Sequence, residues 1–182
     1  MQFDKTKIYS TLEKRSEDDN GVPFIESLQE VLDFDEITQE IADVYRNKRP
    51  TASCDALYRK DDNHIYLIEF KNARRSRIGK NFFKQKAYDS VWPLLFAFYQ
   101  DLSFEELKER LYLVVVFNDE EMMEKEQESR HFQAFKEQVG HLAGDKKRIL
   151  FDLDIYKGVF YKEIYTIEKN IFLEQFCNDI FA

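Results

Sequence analysis

Two short apolar runs flank a polar turn in the first half of the chain. Residues 53–58 and 64–71 are mostly apolar, and residues 59–63 between them are polar or charged. Two strand-like runs around a short polar loop predict a β-hairpin. The second run contains Ile65-Tyr66-Leu67-Ile68, which is apolar at every position and therefore predicts a strand buried on both faces.

The predicted register of this hairpin brings three charged residues together. With the loop centred on Asp62, Asp55 lies opposite Glu69, and directly opposed residues share a face of the sheet. Side chains alternate between faces along a strand, so Lys71 shares the face of Glu69. The backbone carbonyl of Phe70 adds an oxygen at the same strand end. The sequence therefore predicts two carboxylates and one ammonium on one patch of sheet.

This patch has a chemical and a structural interpretation. Mg²⁺ is bound through one or two carboxylates and keeps several waters, which suits Asp55 and Glu69. A cation held in this way activates water for phosphodiester hydrolysis, and the ammonium of Lys71 suits electrostatic stabilisation beside it. On a solvated strand the same residues form an ordinary ion-pair ladder of little energetic weight. Because charges at the end of a buried strand cost desolvation energy, the metal site is the favoured interpretation.

A basic segment follows the hairpin although the whole chain has a formal charge of −8. Residues 71–86 contain no Asp or Glu, and the lysines and arginines there are Lys71, Arg74, Arg75, Arg77, Lys80, Lys84 and Lys86. Arg77, Lys80 and Lys84 recur at helical spacing and predict a basic stripe. Beside a metal site, such a stripe suits a phosphate backbone. The alternative is a solvated face, or one that pairs with an acidic region of the same chain.

The remaining pattern predicts further helices and strands. An amphipathic helix is predicted over 22–32, starting near Pro23, and the segment over 34–47 fits either a helix or a first strand. A further helix is predicted from Arg77 to Val91, which Pro93 kinks or restarts. The apolar run over 111–117 predicts a central strand. Towards the C-terminus the predicted elements are a helix from Asn118 or Asp119 to Val139 with Met122 and Met123 in the core, strands over 149–153 and 159–166 that form a second hairpin near Lys157-Gly158, and a final helix with Ile171, Phe172, Phe176 and Ile180 inside.

Asp55, thirteen intervening residues, Glu69-Phe70-Lys71 and a following helix resemble the core of the PD-(D/E)XK nuclease superfamily. The resemblance implies an α/β fold with an αβββαβ core, a four-stranded mixed sheet flanked by helices, to which this chain adds C-terminal strands and a helix. It implies that Asp55 and Glu69 bind Mg²⁺, for which Mn²⁺ can substitute, and that Lys71 positions or polarises the attacking water. One departure is Cys54, where the family pattern has proline.

The resemblance adds weaker candidates. The family often places an acidic residue on its first helix, which here is Glu26 or Glu30, and each also fits a solvated helix charge. Some members carry a glutamine and a tyrosine that contact DNA after the motif, which suggests Gln85, whereas Tyr88 also fits the core. The predicted nucleic-acid contacts are Arg74, Arg75, Arg77, Lys80, Lys84 and Gln85.

Composition limits the class of protein. A chain of 182 residues with 43% apolar residues and eight Gly and Pro in total predicts a single domain over 1–182. Charges in the first twenty residues argue against a signal peptide, and the longest apolar runs are too short to span a membrane. Two cysteines without a CxxC motif argue against a disulfide framework or a zinc site, so a cytoplasmic location is expected.

Three hypotheses of function follow. The favoured one is a Mg²⁺-dependent nuclease that acts on nucleic acid, with DNA preferred, in restriction, repair or mobile-element biology. The second is a nucleic-acid-binding module of the same fold that does not cleave. The third is a non-catalytic interaction subunit, for which a homodimer or a partner subunit is the expected assembly.

Overall fold

A single mixed β-sheet organises the computed structural model, which describes residues 8–44, 50–73, 77–79, 81–118 and 149–181. Within these ranges the sheet has six strands in chain order: β1 (Tyr9–Thr11), β2 (Glu30–Asp33), β3 (Ala56–Asp61), β4 (His64–Lys71), β5 (Leu111–Phe117) and β6 (Glu163–Glu168). Strands β1 to β4 form an antiparallel meander, whereas β4, β5 and β6 are parallel. The α/β class and the mixed sheet are confirmed. The described sheet has six strands, where a four-stranded core with additional C-terminal strands was expected.

Short helices connect these strands. They are α1 (Leu12–Arg15), α2 (Phe34–Val44), α3 (Phe82–Asp89), α4 (Val91–Ala97), α5 (Phe104–Lys108), a 3₁₀ turn (Asp154–Tyr156), α6 (Lys169–Ile171), a π-helical turn (Phe172–Phe176) and α7 (Cys177–Phe181). Helices α3 to α5 form the crossover between β4 and β5, which two parallel strands require. Within the described part of the chain, every helix is too short or too polar to cross a bilayer.

Each face of the sheet carries its own hydrophobic core, because side chains alternate along the strands. Ile65 and Leu67 of β4 belong to the core that packs against α2, α3, α4 and α5. Tyr66 and Ile68 belong to the opposite core, which the N-terminal segment and the C-terminal helices cover. Glu69 follows the alternation of Ile65 and Leu67, so its side chain belongs to the face covered by α2 and α3.

The central hairpin and its register are confirmed. Ala56 of β3 faces Ile68 of β4, and one further step along both strands sets Asp55 opposite Glu69. The six inner residues of β4 are buried, as the continuous apolar run predicts. The predicted strand over 111–117 is also confirmed: β5 is buried along its whole length between β4 and β6.

The predicted helix over 22–32 is wrong. Residues 22–29 are not helical, and Glu30–Asp33 is strand β2. The backbone of this segment pairs with the segment before it, since the N–H of Glu13 donates to the carbonyl of Ser27 and the N–H of Phe24 donates to that of Ser16. Phe24 fills the second core, so tertiary pairing outweighs the helical periodicity. The ambiguous stretch over 34–47 contains a helix, α2.

The basic helix is shorter than predicted. It starts at Phe82 rather than at Arg77, and a new helix starts at Val91, ahead of Pro93. The break falls at Ser90, whose hydroxyl accepts a hydrogen bond of 2.9 Å from the backbone N–H of Cys54. Because Arg77 precedes the helix, it forms no helical stripe with Lys84.

The predicted second hairpin is also wrong. Phe151 and Asp152 have φ values of 61° and 53°, a left-handed conformation that a strand does not tolerate. Only β6 forms in this region of the described chain, and it pairs parallel to β5. The final helix is divided into α6, the π-helical turn and α7, with Phe172 and Ile180 buried and Ile171 exposed.

Some predicted features lie outside the described residues. They are the helix from Asn118 or Asp119 to Val139 beyond its first residue, with Met122 and Met123, and the side chain of Phe176.

Replacement of Ser90 by alanine tests the contact between this helix break and the hairpin. The variant leaves the buried N–H of Cys54 without its acceptor, so we expect a loss of about 1 to 3 kcal/mol in the free energy of unfolding, measured by chemical denaturation. Ser10→Ala on the edge strand β1 is the control and should change the free energy by less than about 0.5 kcal/mol. An equal, small effect of both substitutions would contradict this role of Ser90.

Candidate functional site

Strands β3 and β4 bring two carboxylates together where β4 ends. Asp55 immediately precedes β3, and Glu69 lies near the end of β4. Asp55 Oδ2 accepts a hydrogen bond of 2.7 Å from the backbone N–H of Phe70, which fixes the carboxylate against the neighbouring strand. The N–H of Cys54, held by Ser90, fixes the chain on the other side of Asp55. A proline at position 54 would lack this donor.

Lys86 of α3 bridges the two carboxylates. Its Nζ lies 2.7 Å from Glu69 Oε2 and 3.1 Å from Asp55 Oδ1. Phe83 and Ala87 anchor the inner face of α3 in the core, and Lys86 lies next to Ala87 along the helix. The ammonium therefore approaches the sheet on the same face as the carboxylates. We call Asp55, Glu69 and Lys86 the charged triad.

One oxygen of the charged triad is left without a partner. The side chain of Glu69 is only 2% exposed, and its Oε1 is buried with no hydrogen-bond partner among the described residues. A buried carboxylate oxygen without a donor is costly, and such an orphan calls for a cation or another donor. This atom is the strongest structural sign that the site accepts a ligand.

Burial and mutual repulsion govern the protonation of the charged triad. Burial raises the pKa of Glu69 well above its usual value, and the nearby Asp55 raises it further against the opposing effect of Lys86. Burial also raises the pKa of Asp55, although Lys86 and the N–H of Phe70 oppose the rise. For Lys86, burial lowers the pKa, but Glu69 and Asp55 outweigh it and the net direction is upward. The lysine therefore stays charged at neutral pH.

An open cleft of about 510 Å³ lies beside the charged triad, and Lys86 forms part of its wall. Asp33, Asp35 and Glu36 also line it, and all three lie at the junction of β2 and α2. Asp35 accepts a hydrogen bond from the hydroxyl of Ser53, and its charge contributes to the raised pKa values of Asp55 and Glu69. Asp33 pairs with Arg15 at 2.7 Å. Three carboxylates and two cations, Arg15 and Lys86, thus line the cleft.

Lys71 lies on the predicted face but packs elsewhere. Its Nζ is 4.5 Å from the centroid of the Phe82 ring, and Lys86 Nζ is 5.5 Å from the same centroid. In the structure, Asp55 and Glu69 therefore both contact Lys86. Lys71 packs on the ring of Phe82, which Lys86 also approaches. The ammonium expected from Lys71 is supplied, between the carboxylates, by Lys86.

Glu26 and Glu30 are not brought to the charged triad. Both are exposed, and Glu30 pairs with Thr11 at the outer side of the sheet. Along β2 it is Asp33, not Glu30, that faces Ala56 beside Asp55. The acidic residues near the site therefore come from the end of β2 and the first turn of α2, not from residues 22–32.

The predicted nucleic-acid contacts are only partly described. Arg77 is exposed ahead of α3, and Gln85 lies on α3, where its side-chain amide is 3.5 Å from Asp89. Lys84 pairs with Asp152 at 3.3 Å. Arg74, Arg75 and Lys80 lie outside the described residues.

Sequence reasoning missed Lys86 and Asp35. A signal for Lys86 was present: buried Phe83 marks the inner face of the helix, and Lys86 follows it by three residues, a spacing that sets two side chains near each other. The signal for Asp35 was weaker, because it lies near the start of the segment over 34–47, whose sequence fits either a helix or a strand.

The charged triad fits a hard divalent cation in donor chemistry. Two carboxylates and a buried oxygen without a partner match the oxygen ligands that Mg²⁺ prefers. Among the described residues, no cluster of three or more His, Cys, Asp or Glu side chains forms a preorganised metal cage. A cation here would therefore depend on Asp55 and Glu69, with water completing its shell.

Comparisons with family models, with curated proteins and with solved structures find no match to this chain. Its function is therefore argued from its residues and their geometry.

Replacement of Glu69 by glutamine tests the electrostatics of the charged triad. The pKa of Glu69 in the folded protein lies above its usual value of 4.5. As the pH rises, Glu69 therefore loses its proton in the unfolded chain first, and this ionisation lowers the stability of the folded wild type. Without added metal, the stability of Glu69→Gln relative to the wild type should therefore increase from about pH 4.5 upward and level off above the folded pKa. Urea unfolding at a series of pH values measures this difference.

The exposed Glu26→Gln variant is the matched control for loss of one carboxylate. A stability difference for Glu69→Gln that stays constant or falls with rising pH would contradict the raised pKa.

Proposed function

We propose that the protein is a metal-dependent nuclease that hydrolyses phosphodiester bonds, with DNA as the favoured substrate. The observation that carries the proposal is the pairing of half-buried Asp55 with buried Glu69, whose Oε1 has no partner among the described residues, beside a charged lysine and an open cleft. Buried charge is expensive, and ionisable groups with perturbed pKa values beside a cleft are typical of active sites.

The arrangement of strands supports a restriction-endonuclease-like core. The consecutive strands β2, β3 and β4 are antiparallel, and β5 follows after helices and lies parallel to β4. This order corresponds to the βββαβ part of the αβββαβ core that the PD-(D/E)XK resemblance implies, with Asp55 immediately before the second of these strands and Glu69 in the third. Under this assignment β1 and β6 are additions at the two edges, and α2 is an insertion.

Asp55 and Glu69 are the proposed ligands of Mg²⁺, or of Mn²⁺ in its place, with the backbone carbonyl of Phe70 as a further oxygen. When bound, such a cation lowers the pKa of a coordinated water and stabilises the charge that develops on phosphate. The hydrogen bond from the Phe70 N–H orients Asp55, and the contact with Lys86 orients Glu69. Both lysines contribute a positive charge. The ammonium of Lys86 lies within the charged triad, and that of Lys71, beside the ring of Phe82, stabilises the attacking water or the phosphate.

The basic segment is the proposed track for the phosphate backbone. Arg77 precedes α3, and Lys84 and Gln85 lie within the helix, just ahead of Lys86. Cations along a track release counterions from nucleic acid, so binding should weaken steeply with salt. Arg74, Arg75 and Lys80 of the same segment belong to this proposal on sequence grounds.

A non-catalytic binding module is the second candidate, and one observation favours it. Lys86 already bridges Asp55 and Glu69, so the charged triad has a counter-charge without any metal. A buried network of this kind can be retained for structural specificity alone. Binding of nucleic acid without cleavage is what this candidate predicts.

A cleavage assay tests the proposed function. Labelled double-stranded, single-stranded and branched DNA, and RNA, are incubated with the protein in Mg²⁺, in Mn²⁺ or in chelator. Because second-shell changes at metal sites already cost up to about 100-fold, loss of a proposed ligand in Asp55→Asn or Glu69→Gln should reduce cleavage at least that much. Lys71→Ala should also reduce cleavage, whereas Lys14→Ala, a distant exposed lysine, should leave it unchanged.

Cleavage that persists in chelator, or that Asp55→Asn retains, would contradict the proposed site. Salt-sensitive binding without cleavage, equal in the wild type and Asp55→Asn, would select the binding module.

A further inference from the structure

The ammonium of Lys86 occupies the place between the two carboxylates. It lies within 3.1 Å of Asp55 and 2.7 Å of Glu69, so a single positive charge is shared by two acidic groups. A divalent cation that used the same two carboxylates would have to lie in the same region. Two cations at such short distances repel strongly in a buried site. Either Lys86 prevents the divalent cation from binding, or its ammonium moves away from the two carboxylates.

The charge balance of the site favours a cation over the ammonium. One ammonium compensates only half of the charge of two ionised carboxylates. Among the described residues, Glu69 Oε1 also receives no hydrogen bond. A divalent cation carries the charge that balances the pair.

The cleft beside the charged triad offers space for the ammonium of Lys86. Its side chain lines the open cleft of about 510 Å³, where Asp35 also lies. The helix that carries it need not move: Phe83 anchors α3 in the core, and the hydroxyl of Tyr161 donates to the carbonyl of Ala87. Rotation of the long, flexible side chain of Lys86 is sufficient to move its ammonium from the carboxylates into the cleft.

We propose that Lys86 is the exchangeable counter-ion of this site. Its ammonium bridges Asp55 and Glu69 in the metal-free protein and turns into the cleft when a hard divalent cation takes the two carboxylates. This inference rests on the metal site of the proposed function. It assigns to Lys86 a positioning role that depends on the cation: only after the exchange does the ammonium face Asp35 and a substrate phosphate in the cleft.

Calorimetric titration of the full-length protein with Mn²⁺ alone tests the exchange. Lys86→Met removes the competing charge but keeps the length of the side chain, so it should bind Mn²⁺ at least about tenfold more tightly than the wild type. Lys84→Met on the same helix is the matched control and should bind like the wild type. Equal or weaker binding by Lys86→Met, or no Mn²⁺ binding by any of the three proteins, would overturn the proposal.

Two further measurements keep the test decisive if Lys86→Met folds poorly. In thermal unfolding, Mn²⁺ should raise the midpoint of Lys86→Met more than that of the wild type, and an equal or smaller shift would overturn the exchange. Lys86→Arg retains a positive charge and should bind Mn²⁺ no more tightly than the wild type. If Lys86→Arg gained affinity as Lys86→Met does, removal of the charge would not be the cause.

The outcome separates this inference from the proposed function. Tighter Mn²⁺ binding by Lys86→Met in a protein that cleaves none of the substrates would support the exchange and count against the nuclease. Metal-dependent cleavage without a gain in affinity would retain the nuclease and overturn the exchange.

Discussion

The burial of one carboxylate determines how the site is built. Glu69 lies near the end of β4, whose six inner residues are buried, and only 2% of its side chain reaches solvent. In such a place an ionised group persists only with a counter-charge, and removal of that partner typically costs about 3 to 5 kcal/mol. Lys86 supplies the counter-charge from a helix 17 residues further along the chain. The position of α3 on the sheet is therefore tied to the charge of β4.

Hydrogen bonds on buried groups hold this arrangement in register. Ser90, at the break between α3 and α4, accepts from the N–H of Cys54 beside Asp55. Tyr161, completely buried, donates to the carbonyl of Ala87 next to Lys86. Each contact joins a residue adjacent to the charged triad to a distant part of the chain. Since unmade buried hydrogen bonds are costly, these contacts restrict α3 to one position over the hairpin.

The sequence predicted the part of the site that depends on local periodicity. A hairpin register follows from strand alternation and loop position, so the facing of Asp55 and Glu69 was accessible from residues 53–71. Lys86 was not assigned because its contact depends on how a helix packs on the sheet, which periodicity alone does not give. The helix predicted over 22–32 failed for a similar reason: its backbone pairs with the segment around Ser16. The six-strand sheet likewise depends on long-range pairing of short edge strands.

The charges around the cleft imply an order of binding. Its two cations are already paired, Arg15 with Asp33 and Lys86 with Asp55 and Glu69. Without a divalent cation, the described lining therefore offers phosphate no unpaired positive charge. The whole chain, at −8, repels phosphate at long range, although salt screens this repulsion within about 8 to 10 Å. A divalent cation at Asp55 and Glu69 reverses the local sign, and a lysine released into the cleft adds to the reversal. In the proposed nuclease, the cation would therefore serve the approach of phosphate as well as its hydrolysis, and the basic segment would hold nucleic acid nearby without it.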